Sequence, residues 1–222
     1  MTSNFLGDAD EPALGGWRGI ISGNELVARE GVDQRKGMNY RKEPQLSVFL
    51  VLPSHDGEYR DEWHENQQLY IYEGHESTTV EGGKAKDQLM MYESGRLSDN
   101  GKFYKAAHAY KDGIEKEPMQ IQVYEKLDPG VWYDKGIFNL IDAKQVSEGG
   151  RKVFKFFLRP ADASERANWD RYREERLLPV TTKVAAWTRS QGRCEECGSQ
   201  TDLHFTGTAE SAHLYCSAHV SR

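Results

Sequence analysis

Six segments with strand-like patterns, separated by short turn motifs, constrain the fold of this chain more than any other feature. The turn motifs lie at residues 55–57, 99–101, 128–130 and 148–150, and each ends in glycine. Segments 69–73 and 119–127 alternate apolar and polar residues, as expected of strands with one buried face, and 46–52 is apolar enough for a fully buried strand. The predicted strands cover residues 46–52, 69–73, 119–127, 130–133, 136–142 and 152–158. Several short strands with few helices between them predict a closed or nearly closed β-barrel.

Helical patterns complete an α+β fold and divide the chain into four parts. Aromatic residues and alanines recur at helical spacing in 101–110, which predicts one helix inside the strand-rich region. A charged helix is predicted at 164–178, between a serine cap and Pro179, and a second at 182–191, before Gly192. We therefore predict four parts: a flexible arm (1–16), the barrel (17–160), a helical linker (161–181) and a small C-terminal module (182–222).

Composition limits the class of protein. Of the 222 residues, 37% are hydrophobic, which is enough for a packed core. The chain contains no 18-residue apolar run and its N-terminal residues lack the pattern of a signal peptide, so no membrane span is expected and a cytoplasmic location is predicted. A net charge of −6 argues against nonspecific nucleic-acid binding by the whole surface, although it is compatible with a local basic face.

The cysteines indicate a metal site. All three lie in the last thirty residues, and an odd, clustered set does not make a disulfide framework. Cys194 and Cys197 are separated by two residues, and Cys216 and His219 repeat that spacing. One such pair would also fit a redox motif, but two pairs predict a tetrahedral Cys3His zinc site. Gly198 allows the tight turn that aims the first two thiolates at one ion.

Residues 184–205 resemble the opening of an HNH endonuclease domain, in which a helix leads into a zinc knuckle and then a strand. The resemblance implies a following Asp-His pair and a catalytic Mg²⁺ or Mn²⁺ on the scissile phosphate. Thr206 and Gly207 stand where that pair is expected, and only ten residues separate Phe205 from Cys216. The HNH module is therefore expected to be truncated or degenerate, with His204 and His213 as the remaining catalytic candidates.

The predicted barrel has a resemblance of its own. Residues 58–63, followed by 69–75, resemble the signature of SRA (YDG) domains. Residues 86–89, 97–103 and 124–157 resemble the bacterial branch in which an SRA domain precedes an HNH nuclease. Together the two resemblances span about residues 17–219 and imply an SRA/PUA-like barrel followed by a zinc-knuckle module.

SRA domains flip a modified cytosine out of duplex DNA, which requires aromatic faces for stacking and a carboxylate that accepts from the cytosine amino group. By resemblance, the stacking pair is Tyr59 and Tyr72. The carboxylate is Asp61 or Glu62, and the spacing leaves that choice open. On pattern alone, the same residues also fit ordinary barrel aromatics and a capped turn.

The densest basic run precedes the first strong strand and is the candidate for contact with the DNA backbone. A solvated charged face is the alternative explanation for such a run. The candidate residues are Arg35, Lys36, Asn39, Arg41 and Lys42, with residues 37–40 as a loop that could enter a groove.

The sequence supports two functions. One is a modification-dependent HNH restriction endonuclease, which recognises 5-methyl- or 5-hydroxymethylcytosine in double-stranded DNA by base flipping and could act as a homodimer. The other is a non-cleaving reader of modified DNA with an inactive HNH remnant. Both include structural Zn²⁺, and only the first requires Mg²⁺ or Mn²⁺.

Overall fold

The computed structural model describes residues 19–42, 45–52, 61–64, 69–75, 86–161, 175 and 178–220. The strands and helices of these ranges follow one another in this order: β1 (Ile20–Ser22), α1 (Gly23–Glu30), β2 (Met38–Asn39), β3 (Ser47–Val51), β4 (Glu62–His64), β5 (Leu69–Glu73), α2 (Asp99–Lys111), β6 (Met119–Asp128), β7 (Val131–Glu148), β8 (Arg151–Pro160), α3 (Val180–Ser190), β9 (Leu203–Gly207) and β10 (Ala212–Cys216).

Eight of these strands form one mixed sheet. Its order is β2-β3-β6-β7-β8-β5-β4, with β1 paired to the beginning of β7. Strand β3 runs parallel to β6, and the other pairs are antiparallel. Shifts in register between Val123 and Tyr124, and between Leu140 and Asp142, mark bulges in the central strands. Such irregularities bend strands and increase their twist.

The sheet is rolled around its core. The rings of Phe49 in β3 and Tyr72 in β5 are stacked with centroids 4.4 Å apart. Three strands separate β3 from β5, so the two would be about 19 Å apart in a flat sheet. The sheet therefore curls until its two ends approach each other, in agreement with the predicted barrel-like form. Within the described ranges, no strand pair closes the circle between β4 and β2. We call the line along which these ends meet the seam.

Helix α2 packs one face against the core of the rolled sheet. Ser98 caps it by accepting from the backbone N–H of Gly101, and Phe103 and Ala107 are fully buried against the strands. The aromatic members of this core interlock by edge-to-face contacts, as between Phe49 and Phe103 at 4.8 Å. The helix predicted at 101–110 is thus confirmed, and so is the one predicted at 182–191, which is α3.

Two predictions about local structure were wrong. Segments 130–133 and 136–142, predicted as separate strands, belong to the single strand β7, which continues through Gly136 at φ 95°. Helix α1 lies in a region that we interpreted as strands. The sequence nevertheless carries the residues that begin and end this helix. Ser22 caps its start by accepting from the backbone N–H of Glu25, and Gly31 ends it at φ 59°.

The C-terminal module packs directly on the sheet. Leu127 of β6 and Tyr133 of β7 share a core with Ala186 of α3, Phe205 of β9 and Leu214 of β10. The rings of Tyr133 and Phe205 meet edge to face at 5.8 Å. Most of the helix predicted at 164–178 lies outside the described residues. None of the helices in the described ranges is long and apolar enough to span a membrane.

Candidate nucleic-acid interface and metal centre

Tyr72 lies at the seam of the rolled sheet. Its side chain is 2% exposed, and Phe49 covers one face of its ring. Phe49 belongs to one half of the sheet and Tyr72 to the other, so the stack holds the two halves together. Because only 2% of the residue is exposed, a base could stack on the other face of Tyr72 only once that face is uncovered. Its predicted partner Tyr59 lies outside the described residues.

Asp61 is placed beside Tyr72 by strand register. The ladder between β4 and β5 pairs Glu62 with Ile71, and continuing it by one residue brings Asp61 opposite Tyr72. Directly opposed residues present their side chains on the same face of a sheet. One Asp61 oxygen accepts the backbone N–H of Glu73, the residue after Tyr72, at 2.8 Å, which holds the carboxyl group at this end of β5.

The other candidate carboxylate, Glu62, is exposed, and its contact is with the imidazole of His64 at 3.1 Å. Glu73, which donates to Asp61, is buried and bound by Lys155 at 2.7 Å and by Arg151 at 3.3 Å. Of the two carboxylates that the sequence left open, Asp61 is the one that bonds to β5, at the residue after Tyr72.

Burial raises the pKa of Asp61 to about 7, and the hydrogen bond from Glu73 opposes that rise. In the unfolded chain the pKa is 3.8, so between these values the folded state holds more protons than the unfolded state. We therefore expect the free energy of unfolding to fall as the pH rises from about 4 to about 7. Above that range, Asp61 should contribute little further change. Urea unfolding of wild type and Asp61→Asn at several pH values tests this, since the variant should lack that component. Parallel pH profiles would contradict the assignment.

The predicted backbone-contact residues divide into two groups. Arg35, Lys36 and Lys42 are exposed, and the guanidinium of Arg35 pairs with Asp33 at 3.0 Å. The backbone N–H of Lys36 donates to the carbonyl of Asp33, which makes residues 33–36 a turn. These three cations are available to a polyanion.

The remaining two residues are tied into the fold. Arg41 donates to the backbone carbonyl of Glu30 and pairs with its carboxylate at 3.2 Å. Asn39 lies in β2 and its amide donates to the carbonyl of Lys36. Residues 38–39 are therefore a strand at the end of the sheet, with Met38 buried, rather than the groove-entering loop that the sequence suggested.

The four residues of the predicted zinc site converge. Sγ of Cys194, Cys197 and Cys216 and a ring nitrogen of His219 lie within 4.8 Å of one another. The Cys197–Cys216 separation is 3.7 Å, and Nδ1 of His219 is 3.6 Å from Cys194 and 3.3 Å from Cys216. A tetrahedral zinc ion with bonds of about 2.3 Å to sulfur and 2.0 Å to nitrogen requires ligand separations of about 3.5–3.8 Å. The donor set and its spacing therefore fit zinc.

Local backbone geometry shapes this cluster. Gly198 has φ 75° and donates to the carbonyl of Cys194, so the tight turn predicted after Cys197 is present. Burial would raise the pKa of the Cys194 thiol, but backbone N–H groups of Cys197, Cys216 and Glu196 lower it to about 6. Donors that favour the thiolate also favour a metal ligand.

His204 and His213 do not form a common site. They lie on the face of the β9–β10 hairpin opposite Phe205 and Leu214. His204 contacts the carboxylate of Glu175 at 3.4 Å and the hydroxyl of Ser217 at 3.0 Å. His213 contacts a different carboxylate, that of Glu195, at 2.7 Å. Within the described ranges, the Cys3His group is the one cluster of His, Cys, Asp and Glu that could hold a metal.

The hairpin also excludes a side chain at position 207, where the Asp-His pair of the HNH pattern would end. Gly207 has φ 137°, and a Cβ there would overlap the carbonyl oxygen of Ser211 and lie 2.8 Å from Cα of Ala212. Conformations with φ near this value are essentially restricted to glycine. A histidine at this position is therefore incompatible with the present turn.

A buried ionic group joins the C-terminal module to the sheet. Nζ of Lys183 in α3 lies 2.5 Å from one oxygen of Glu125, and Nζ of Lys135 lies 2.5 Å from the other. Lys183 is fully buried and also lies over the ring of Tyr133 at 3.8 Å. Burial alone would raise the pKa of Glu125, but the two ammonium groups hold it below its ordinary value. The carboxylate is therefore ionised and shared by both lysines.

Sequence reasoning missed this ionic group, because charged residues in a strand or a helix are ordinarily exposed. It also missed two polar residues that support the seam. The amide of Asn100 bonds both backbone groups of His75, and the amide of Gln88 donates to the carbonyl of Gly74.

Among known proteins, this chain is similar to several solved structures. No protein-family model and no curated protein matches the sequence. The chain is similar to the SUVH5 SRA domain in complex with hemimethylated CG DNA, with 20% identity over 68% of this chain and 92% of that chain and a TM-score of 0.46. It is also similar to the SUVH5 SRA domain bound to fully hydroxymethylated CG DNA, with 18% identity over 63% of this chain and 84% of that chain and a TM-score of 0.43. A third similar structure is AspBHI, a DNA modification-dependent restriction endonuclease, with 16% identity over 72% of each chain and a TM-score of 0.45.

Proposed function

We propose that the chain binds duplex DNA containing 5-methyl- or 5-hydroxymethylcytosine and holds the modified base, flipped out of the helix, at the seam of the rolled sheet. The observation that carries this proposal is the Asp61 carboxyl group, held at the Tyr72 end of β5 by the backbone N–H of Glu73. A pyrimidine needs an aromatic face, and the cytosine amino group needs an acceptor. The two stand together here.

The exposed cations Arg35 and Lys36 lie close to Tyr72. Gly37, next to Arg35 and Lys36, packs against Tyr72 and His75, so the 33–36 turn is adjacent to the proposed pocket. Lysine and arginine next to a base pocket supply contacts to phosphate that position the duplex without reading its sequence. The net charge of −6 therefore does not oppose DNA binding, because the relevant charge is local.

We further propose that the C-terminal module is structural and holds zinc through Cys194, Cys197, Cys216 and His219. A bound zinc ion would cross-link the two turns and stabilise the hairpin. Two observations favour a non-cleaving reader over an endonuclease: His204 and His213 bind separate carboxylates, and Gly207 has no room for a side chain. Incubation of modified duplex with Mg²⁺ or Mn²⁺ tests this, and modification-dependent cleavage would establish the nuclease instead.

Above about pH 8, where the Asp61 carboxyl group is ionised, Asp61→Ala is expected to lower affinity for the modified duplex about tenfold to a hundredfold, because a hydrogen bond to a charged group contributes about 1.5–3 kcal/mol. Binding to the unmodified duplex should change little, since it depends on phosphate contacts. Glu62→Ala is the matched control: the neighbouring carboxylate is exposed and should have a small effect on both duplexes. Gel-shift titrations of both variants on the paired duplexes measure this difference. Equal losses on both duplexes for Asp61→Ala would show that Asp61 serves the fold rather than the base.

A further inference from the structure

His75 sits beside Tyr72 at the seam and is rigidly held. Its backbone N–H donates to the amide oxygen of Asn100 at 3.1 Å, and its carbonyl accepts from the same amide at 2.7 Å. Asn100 is in the first turn of α2 and is 4% exposed. The preceding residue, Gly74, donates to the carbonyl of Phe154 in β8 and accepts from Gln88. The position of His75 is therefore fixed from both the sheet and the central helix.

The side chain of His75 lies in line with the Tyr72 ring. Nε2 of His75 and the Tyr72 hydroxyl are 2.6 Å apart, the ring planes differ by 22°, and the centroids are 5.9 Å apart. A hydrogen bond this short between ring edges, with that centroid separation, places the two rings side by side and nearly coplanar rather than face to face. The imidazole therefore fixes the direction of the Tyr72 hydroxyl and extends the plane of the ring.

Gly37 approaches this pair from the other end of the sheet. Its carbonyl accepts from Leu50 in β3, and the residue is buried. A Cβ at position 37 would overlap the His75 imidazole and lie 2.8 Å from the Tyr72 hydroxyl. No unusual backbone conformation requires glycine here, so close packing on the Tyr72–His75 pair is the constraint. Two residues before Gly37 is Arg35, whose side chain is 90% exposed.

We propose that His75 is a positioning residue of the base pocket, which holds Tyr72 in orientation and sets the place of the Arg35–Lys36 turn through its contact with Gly37. This inference rests on the proposed function, because it assigns the Tyr72 ring to the flipped base. The His75 imidazole contacts Tyr72 on one side and Gly37, next to the Arg35–Lys36 turn, on the other. His75 would therefore couple recognition of the base to contact with the DNA backbone. A base seated on Tyr72 and a phosphate held at the turn would then have a fixed mutual distance.

The test is a two-residue cycle on the full chain, with affinity measured on modified and unmodified duplexes. Gly37→Ala must drive His75 away from Tyr72, and we expect affinity for the modified duplex to fall about threefold to tenfold, the worth of one hydrogen bond. His75→Ala alone keeps Gly37 but removes the hydrogen bond to the Tyr72 hydroxyl, so it should lower affinity for the modified duplex by a similar factor. The double variant should recover part of the melting temperature lost in Gly37→Ala, because the overlap with the imidazole is gone, but it should not recover affinity for the modified duplex.

Lys36→Ala is the contrasting variant, because it removes an exposed cation at the adjacent position. It should weaken binding to both duplexes alike and reduce the salt dependence, as loss of a phosphate contact does. Unchanged discrimination in His75→Ala, or a double variant that discriminates between the duplexes as well as the wild type, would overturn the positioning role while leaving the proposed function in place. If the wild type itself does not discriminate between the duplexes, the proposed function fails and this inference fails with it.

Discussion

Glu125→Gln is expected to destabilise the folded chain by about 3–5 kcal/mol, the cost of removing one partner from a buried ionic group. Lys135 and Lys183, each 2.5 Å from Glu125, would then lose their counter-charge, and Lys183, whose pKa burial already lowers to about 7, is expected to lose its proton. All three side chains are 2% exposed or less, so water cannot compensate. Urea unfolding, followed by circular dichroism, measures the loss.

A second substitution makes the electrostatic cause testable. Adding Lys183→Met to Glu125→Gln removes one of the two buried amines left without a carboxylate partner and keeps an apolar stem over the Tyr133 ring. The double variant should therefore be more stable than Glu125→Gln alone. Asp142→Asn is the matched control: it breaks an exposed pair with Lys111, which should contribute at most about 1 kcal/mol. A double variant that is less stable than the single variant would show that the unpartnered Lys183 amine is not the cause of the loss.

Cys194→Ser is expected to release zinc and unfold the β9–β10 hairpin. Removing one thiolate breaks a tetrahedral set, and structural zinc commonly supplies most of the folding free energy of so small a module. Because Phe205 and Leu214 share a core with Leu127 and Tyr133, the loss should reach strands β6 and β7. Metal content by elemental analysis and hydrogen exchange of the hairpin amides measure the two effects.

His213→Ala is the control for that experiment. The residue lies in the same hairpin but binds Glu195 and stands outside the Cys3His cluster, so zinc content should remain that of the wild type. A wild-type protein that contains no zinc and folds fully without it would contradict the metal assignment. Protection of β6 and β7 that is unchanged in Cys194→Ser would show that the module and the sheet unfold independently.

Patterns of local sequence predicted much of this structure. Strand β5 was predicted at its observed bounds, and the predicted strands at 46–52, 119–127 and 152–158 lie within two residues of β3, β6 and β8. Regular spacing of ligands predicted the Cys3His cluster. These features depend on periodicities of two or three residues, which the sequence displays directly.

Features that depend on distant partners could not be predicted in the same way. Lys183 and Glu125 are 58 residues apart, and nothing in either neighbourhood distinguishes them from surface charges. Arg41 resembled a cation for DNA, but its guanidinium is bound by Glu30 of α1, a helix that was itself not predicted. The contact between Gly37 and His75 arises from rolling the sheet until its ends meet. Such pairings are consequences of tertiary structure.

The most direct test of the central claim is the binding of the full chain to paired duplexes, at one fixed salt concentration. One duplex carries a single 5-methyl- or 5-hydroxymethylcytosine and its twin carries cytosine, with Mg²⁺ added after binding has been measured. Tighter binding to a modified duplex, with the DNA left intact, is the expected result. Equal affinity for all duplexes would contradict a base pocket at Asp61 and Tyr72.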